Sequence, residues 1–139
     1  MEKHSIIIST ISVAIMGCIL FLGVSSVLAE SVLSAEEVTQ LFSGKTVEGI
    51  IVRKGSSFKA YFDPNGTIRT QYAKGKKRKG KWYIDDDGRK CLRYEDQSKE
   101  NCHIIVNDGG VYKEFKVKSG KRKLVVEFTK FTEGNLYGL

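Results

Sequence analysis

The sequence has little proline, tryptophan and histidine. Its 139 residues include one proline and one tryptophan, and it has no tract of glutamine, serine or proline. Such tracts mark disordered segments and linkers, so their absence predicts one ordinary folded domain. Beyond residues 1–29 the chain keeps a single histidine, His103. Because no serine, acid and base stand in a recognisable catalytic motif, we predict a non-enzymatic protein without a cofactor or a bound metal.

Charge is missing from residues 5–28 of the chain. Lys3 precedes an uncharged run from Ser5 to Leu28, which leads into Ala29. A positive start, an apolar run and a small residue at this position predict a signal peptide over residues 1–29. Two alternatives stay open, because a run of about 20 apolar residues can anchor a chain uncleaved and Cys18 is a candidate for lipidation. In each case we expect a bacterial domain that is periplasmic or secreted.

Cleavage after Ala29 would leave two cysteines, Cys91 and Cys102. An even number in an exported chain favours a disulfide. The loop that it would close is short, so we expect a stabilisation of about 3 kcal/mol. A metal or redox thiol pair is the alternative, but a metal would need further ligands and His103 is the sole histidine beyond the leader.

The sequence pattern of residues 30–44 predicts one short amphipathic helix. Ser34 and Glu37 have the spacing of a capping box, and Gly44 supplies a stop. The apolar residues between them share one face of the helix: Val38, Leu41 and Phe42.

After Gly44 the periodicity of the sequence changes to two. Turn residues divide residues 45–130 into eight predicted strands, at about 45–53, 57–63, 67–73, 77–84, 89–95, 101–106, 111–118 and 122–130. Connections this short join antiparallel neighbours. Closing the meander removes both edges, so we predict an all-β fold, an eight-stranded antiparallel up-and-down barrel. An open curved sheet wrapped on the helix is the alternative, and residues 131–139 are expected to form a tail.

Several motifs in this region resemble those of one protein family. They are Gly80-Lys81-Trp82-Tyr83-Ile84, Asp87-Gly88, Cys91-Leu92-Arg93-Tyr94 and Cys102. In this combination the chain resembles small exported bacterial proteins of unknown function with lipocalin-like, or calycin-like, barrels. The resemblance covers nearly all of Leu33 to Val117. It implies export, a barrel and a bond between Cys91 and Cys102, and it implies no reaction.

The Gly-x-Trp motif limits how far this resemblance extends. True lipocalins carry it on their first strand, whereas Gly80-Lys81-Trp82 falls on the fourth predicted strand. Lipocalin ligand sites are therefore not transferred to this chain.

The most unusual feature of the composition is a basic stretch. Residues 74–81 contain six cations in eight positions, within a chain whose net charge is +7. A second basic turn follows at residues 121–123. Such patches attract polyanions through charge, without sequence readout. We predict an anion-binding site at four residues: Lys76, Lys77, Arg78 and Lys79.

The expected partner of this basic hairpin is an anionic envelope component or a protein. Nucleic acid is disfavoured because the chain is expected to be exported, and a membrane would be contacted peripherally or through an uncleaved leader. A solvated hairpin that resists aggregation, without any partner, is the alternative.

Aromatic residues on the strands supply a second candidate site. In so small a barrel they either fill the interior or leave one apolar, aromatic cavity. The candidate lining residues are Phe58, Phe62, Tyr72, Trp82 and Tyr94. If a cavity remains, we expect a small apolar ligand.

Two weaker signals are interpreted as structural. By alternation, His103 faces away from Cys102 and Ile104, which is typical of an exposed or partly buried strand residue. The run Asp85-Asp86-Asp87-Gly88 clusters carboxylates as calcium sites do, but it lacks the alternating ligands and the distant glutamate of a calcium loop. We therefore predict a solvated hairpin turn.

Together these features predict a non-enzymatic exported binding protein, or an envelope-associated one, whose basic hairpin docks on an anionic surface or partner. A carrier of a small apolar ligand is the first alternative. A periplasmic protease inhibitor that uses Glu30 to Leu33 as its plug is the second.

Overall fold

The computed structural model describes residues 29–139, so the predicted signal peptide, apart from Ala29, lies outside the described residues together with Cys18. The described part consists of nine strands and one helix. In chain order they are β1 (Ser31–Val32), α1 (Ala35–Phe42), β2 (Lys45–Ile51), β3 (Ser56–Phe62), β4 (Thr67–Tyr72), β5 (Lys77–Ile84), β6 (Lys90–Tyr94), β7 (Asn101–Asp108), β8 (Val111–Lys118) and β9 (Lys121–Glu133).

Strands β2 to β9 form a closed barrel. Each pairs antiparallel with the next along the chain, and β9 pairs with β2 from Thr46↔Thr132 to Ile51↔Val126. The short turns favour this order, because a parallel neighbour needs a longer crossover. The prediction of an all-β, eight-stranded up-and-down barrel is confirmed. The alternative of an open curved sheet is wrong.

Helix α1 closes one end of this barrel. Its capping box forms as predicted: the Glu37 amide donates to the Ser34 hydroxyl at 3.2 Å, and the Ser34 amide donates to the Glu37 carboxylate at 2.7 Å. Val38 and Phe42 are fully buried. The Phe42 ring meets the rings of three strand residues edge-on: Phe62, Phe128 and Phe131. The apolar face of the helix is therefore part of the barrel core.

Strand β1 was not predicted from the sequence. It pairs with β7 at Ser31↔Asn107 and Val32↔Val106. Strand β6 pairs with β7 only as far as His103, so β1 occupies the part of the β7 edge that β6 leaves open. Residues 31–32 are therefore part of the sheet. The predicted use of Glu30 to Leu33 as an inhibitory plug stays a prediction.

The last strand is longer than predicted. Strand β9 continues to Glu133, past the expected end at residue 130, through a bulge at which Thr129 is unpaired. The hydroxyl of Thr46 then donates to the Gly134 carbonyl at 2.6 Å and accepts from the Leu136 amide at 2.9 Å. The start of the predicted C-terminal tail is thus fixed to the barrel.

The two ends of the barrel carry different sets of turns. Because successive strands run in opposite directions, alternate turns lie at the same end. The closed end holds α1 and turns 63–66, 85–89 and 109–110; Gly88 lies against the start of the helix, and Gly44 lies beside Pro64. The other end, here called the open end, holds turns 52–55, 73–76, 95–100 and 119–120.

The disulfide joins β6 to β7. Cys91 and Cys102 are directly opposite each other in the antiparallel ladder, and their sulfur atoms are bonded. Cys91 is fully buried, and Tyr83 is its neighbour on β5. The predicted bond is therefore confirmed, and it clamps the two strands whose ladder has few paired residues.

Candidate functional site

The charges of the barrel are sorted between its two ends. The open end carries cations in two of its four turns and on the two strand ends that flank a third: Arg53, Lys54, Lys74, Lys76, Lys118 and Lys121. Its fourth turn, 95–100, carries three carboxylates and Lys99. The turns of the closed end carry mainly aspartates, namely Asp63, Asp85, Asp86 and Asp87, and Asp108 ends the strand before turn 109–110. This polarity was hidden in the sequence, because it appears only when alternate turns are assigned to the same end.

A hollow of about 700 Å³ lies between turns 52–55 and 73–76. We call it the basic hollow, and its lining residues are Ile51, Lys54, Ser56, Tyr72, Ala73, Lys74, Lys76 and Arg78. In the described part of the chain, Lys54, Lys74 and Lys76 form no ion pair, and all three are exposed. Three mobile ammonium groups therefore surround one concave space that can accept an anionic group.

The outer surface of β4, β5 and β6 continues this basic character. Arg69 lies directly opposite Lys79, and Lys81 lies directly opposite Arg93. Like charges in directly opposed positions destabilise a sheet. Together with Lys77 these four residues form a surface that we call the basic wall. Its lysines on β5 point away from the face that holds Gly80 and Trp82.

Arg78 does not belong to this surface. Its guanidinium donates to the Asp96 carboxylate, with Nε–Oδ1 and Nε–Oδ2 distances of 3.1 Å, and to the Tyr72 hydroxyl at 3.3 Å. It lies over the Tyr94 ring at 3.9 Å, and its side chain is 15% exposed. Hydrogen bonding from Arg78 lowers the pKa of Asp96. Its charge is therefore already paired with Asp96, and the contact of Arg78 with an external anion stays a prediction.

The other three predicted anion-binding residues are free to contact an external anion. Lys76 lines the basic hollow, while Lys77 and Lys79 stand on the basic wall. The sequence missed Lys54, because its turn lies some twenty positions earlier in the chain and only the barrel places it beside Lys74 and Lys76.

A cavity of about 210 Å³ lies inside the barrel. Four of the five predicted residues line it: Phe58, Phe62, Tyr72 and Tyr94. The fifth, Trp82, does not. Its ring meets the Phe62 ring edge-on with 5.4 Å between centroids, and its Nε1 donates to the Asp63 carbonyl at 2.9 Å. Trp82 therefore supports the wall of the cavity from behind.

The cavity contains a charged cluster that the sequence did not predict. Lys90 Nζ lies 2.9 Å from Glu114 Oε2, and His103 Nδ1 lies 2.7 Å from Glu114 Oε1. Lys90 is 2% exposed and Glu114 is 5% exposed. We call these three residues the interior triad. The cavity therefore has charged groups beside the apolar and aromatic lining that the sequence predicts.

Electrostatics holds Glu114 of the interior triad in its ionised form. Burial by itself would raise the pKa of Glu114, but the charge of Lys90 and the hydrogen bond with His103 outweigh it, and the pKa of Glu114 is lowered. The Lys90 ammonium also lies over three aromatic rings, those of Phe42, Phe62 and Phe128, at 4.8 to 5.3 Å. Such contacts favour a desolvated cation.

Alternation contained a signal for the interior triad. Lys90 has the same parity as Leu92 and Tyr94 on β6, and all three residues line the cavity. His103 likewise has the parity of Ile105, which is buried. His103 is partly buried, as predicted, yet it faces a cavity and not the solvent-facing side of a strand.

Hydroxyl groups line another side of the cavity. The hydroxyls of Thr70 and Tyr94 are 2.8 Å apart. Burial raises the pKa of Tyr94, so this phenol remains protonated. The cavity therefore combines aliphatic and aromatic walls with two separate polar groups.

The aspartate turn at the closed end has a structural role. Asp85 Oδ1 accepts from the Asp87 and Arg89 amides at 3.1 and 2.8 Å, and its Oδ2 accepts from Arg89 Nε at 2.7 Å. Asp85 also lies near Cys91 and Cys102, the one group of potential metal ligands that residues 29–139 bring together. Those two sulfur atoms are bonded to each other, so the group offers no thiolate.

Comparison with protein families, with curated proteins and with solved structures gives no match. The family resemblance inferred from the motifs therefore stays a prediction. Among residues 29–139, no helix has the length and apolar character needed to cross a membrane.

Proposed function

We propose that this protein docks on anionic membrane surfaces through the open end of its barrel. One observation carries the proposal: the basic turns 52–55 and 73–76 lie at the same end as the lysines that flank turn 119–120, beside a wall that holds like charges directly opposite one another. Repulsion between these like charges destabilises the barrel, and an anionic surface would relieve it.

The hairpin of β8 and β9 supports this proposal. Within the described part of the chain, residues 116–118 and 121–123 pair only with each other, so the hairpin tip extends past the neighbouring ladders. Lys116 is directly opposite Lys123, and Lys118 is directly opposite Lys121. Arg122 alone in this segment forms an ion pair, with Glu30. The tip therefore presents unpaired cations near the open end.

Exposed apolar residues distinguish a lipid surface from other polyanions. Val52, on the turn after β2, is 41% exposed, and Val117, on the β8–β9 hairpin, is 46% exposed. Both stand among cations at the open end. Cations beside short apolar side chains are typical of segments that lie in a lipid interface, where the cations meet anionic head groups and the apolar groups enter the acyl boundary.

The proposed location is outside the cytoplasm, in the periplasm or in the secreted fraction. The disulfide between Cys91 and Cys102 supports it, because such bonds persist in oxidising compartments. The proposed role is binding and not catalysis. A protein partner for the same basic surface is an outcome that the experiment below distinguishes.

Sedimentation with lipid vesicles tests this function. The purified protein, in the processed form that its cells produce, is mixed with phosphatidylglycerol vesicles and with phosphatidylcholine vesicles. We expect binding to the anionic vesicles that falls steeply with salt. Equal binding to both lipids, or binding unchanged by salt, would contradict the proposal, and binding to neither would leave a protein partner as the better explanation.

A matched pair of triple variants locates the surface. The first variant replaces all three lysines of the basic hollow by serine: Lys54→Ser, Lys74→Ser and Lys76→Ser. Each lysine near an anionic surface contributes about 1 kcal/mol to binding, so we expect this variant to bind anionic vesicles about 100-fold more weakly. The control makes the same change at three lysines outside the open end: Lys45, Lys113 and Lys130. It removes the same net charge and is expected to bind much as the unaltered protein does.

A further inference from the structure

We propose that the barrel interior binds one small uncharged molecule that consists of a single ring with a hydrogen-bond donor. The site is the 210 Å³ cavity, and its polar contact is His103 of the interior triad. This inference is independent of membrane docking, since it concerns the interior of the barrel and needs no lipid.

The size of the cavity limits the ligand. A cavity of about 150 Å³ lined by aliphatic and aromatic side chains binds benzene. At about 210 Å³, this cavity has room for one aromatic ring with a small substituent. Its walls suit such a ring, because they are formed mainly by apolar side chains: Ile51, Phe58, Ala60, Phe62, Ile68, Leu92, Val125 and Val126.

The charge balance of the cavity excludes an ionised ligand. Lys90 and Glu114 already neutralise each other at 2.9 Å. An additional ion would lose its hydration and find no unpaired countercharge in the cavity, and burial of such a charge is strongly unfavourable. The ligand is therefore uncharged, whereas the cations of the basic hollow lie outside the cavity.

His103 determines which polar group the ligand carries. Its Nδ1 is held 2.7 Å from Glu114 Oε1, and in the neutral imidazole this nitrogen donates its hydrogen to the carboxylate. The other ring nitrogen, Nε2, is then an acceptor. No side chain or backbone group of residues 29–139 makes a hydrogen bond with Nε2. A hydroxyl or N–H group on the ligand satisfies it.

The ligand enters from the open end. Ile51 and Tyr72 line both the cavity and the basic hollow, so the two spaces are adjacent at the open end. At the opposite end Phe42 of α1 is fully buried against Phe62 and Phe128 and closes the barrel. The pair of hydroxyls of Thr70 and Tyr94 offers the ligand a second polar contact on the way in.

Calorimetric titration with three probes tests the chemistry. Phenol has the ring and the O–H donor, toluene has the same size without the donor, and benzoate carries a charge. We expect phenol to bind, toluene to bind about tenfold more weakly because it lacks one hydrogen bond, and benzoate to show no saturable binding. Fluorescence of Trp82, the sole tryptophan, follows the same titration because its ring contacts Phe62 of the cavity wall.

Variants locate the site. Ala60→Leu fills the cavity and is expected to abolish phenol binding, while Ala35→Leu, at the start of α1 and outside the cavity, leaves it unchanged. His103→Phe removes the acceptor, so phenol then binds no better than toluene. If that variant fails to fold, the comparison of the three probes on the unaltered protein decides alone. Absence of phenol binding, benzoate binding as tight as that of phenol, or phenol binding that survives Ala60→Leu would overturn the proposal.

Discussion

Lys90 and Glu114 form an ion pair inside the barrel, with Nζ and Oε2 2.9 Å apart, on strands separated by β7. His103 on β7 completes the cluster from between them. Both charged side chains are almost fully buried, so each depends on the other for the compensation of its charge.

Removing one partner of this pair should strongly destabilise the protein. Glu114→Gln keeps the shape of the side chain but leaves the Lys90 ammonium buried without a countercharge. We expect the free energy of unfolding to fall by about 3–5 kcal/mol, measured by urea denaturation. Asp108→Asn breaks the more exposed pair with Lys113 and should cost less than about 1 kcal/mol. Equal effects of the two substitutions would show that the interior pair is not buried.

The same carboxylate predicts a dependence of stability on pH. The pKa of Glu114 in the folded protein is lowered from its ordinary value of 4.5. Its contribution is therefore complete above about pH 4.5 and is lost as the pH falls through the lowered pKa. Protonation leaves Lys90 without its countercharge, with His103 beside it. We expect the difference in stability between the unaltered protein and Glu114→Gln to shrink as the pH falls below about 4.5. A difference independent of pH would contradict an ionised Glu114.

Gly80 is predicted to tolerate no side chain. A Cβ atom at this position would lie 2.4 Å from the Arg93 carbonyl oxygen and 2.8 Å from the Tyr94 Cα, both in the backbone of β6. Gly80→Ala should therefore lower the free energy of unfolding by about 1–3 kcal/mol. Ser57→Ala, at an exposed strand position, should change it by less than about 0.5 kcal/mol. If both variants melt at the same temperature, the close approach of β5 and β6 is incorrect.

The disulfide should stabilise the barrel by restricting the unfolded chain. Cys91 and Cys102 are separated by 11 positions, and closing a loop of this length is worth about 3 kcal/mol. The double variant Cys91→Ser and Cys102→Ser should lose about that amount under non-reducing conditions. Adding a reductant should destabilise the unaltered protein and leave the double variant unaffected, which separates loss of the bond from the effect of the new serines.

The fold was largely predictable because alternation and turn chemistry are local properties. The alternation of Phe58, Ala60 and Phe62 identifies the inner face of β3 from the sequence of that strand alone. The capping box of α1 likewise lies within four residues. Strand β1 was missed because two residues are too few to show a period. The position of β1 depends on the part of the β7 edge that β6 leaves unpaired.

The interior triad was missed for a different reason. A lysine or glutamate at an inner strand position is interpreted as an exposed charge unless its partner is known, and the partner of Lys90 is 24 positions away on another strand. The ion pair of Arg78 was missed for the same reason, because its pairing with Asp96 depends on how turn 95–100 folds at the open end. The sorting of charges between the ends likewise required the strand order.

Amide hydrogen exchange with and without phosphatidylglycerol vesicles tests the proposed docking most directly, because it identifies the contacting end in the unaltered protein. The account predicts slower exchange in turns 52–55 and 73–76 and in the hairpin of residues 116–123, with turns 63–66, 85–89 and 109–110 unchanged. Slower exchange in the closed-end turns, or none in the open-end turns while the protein is bound to the vesicles, would contradict it.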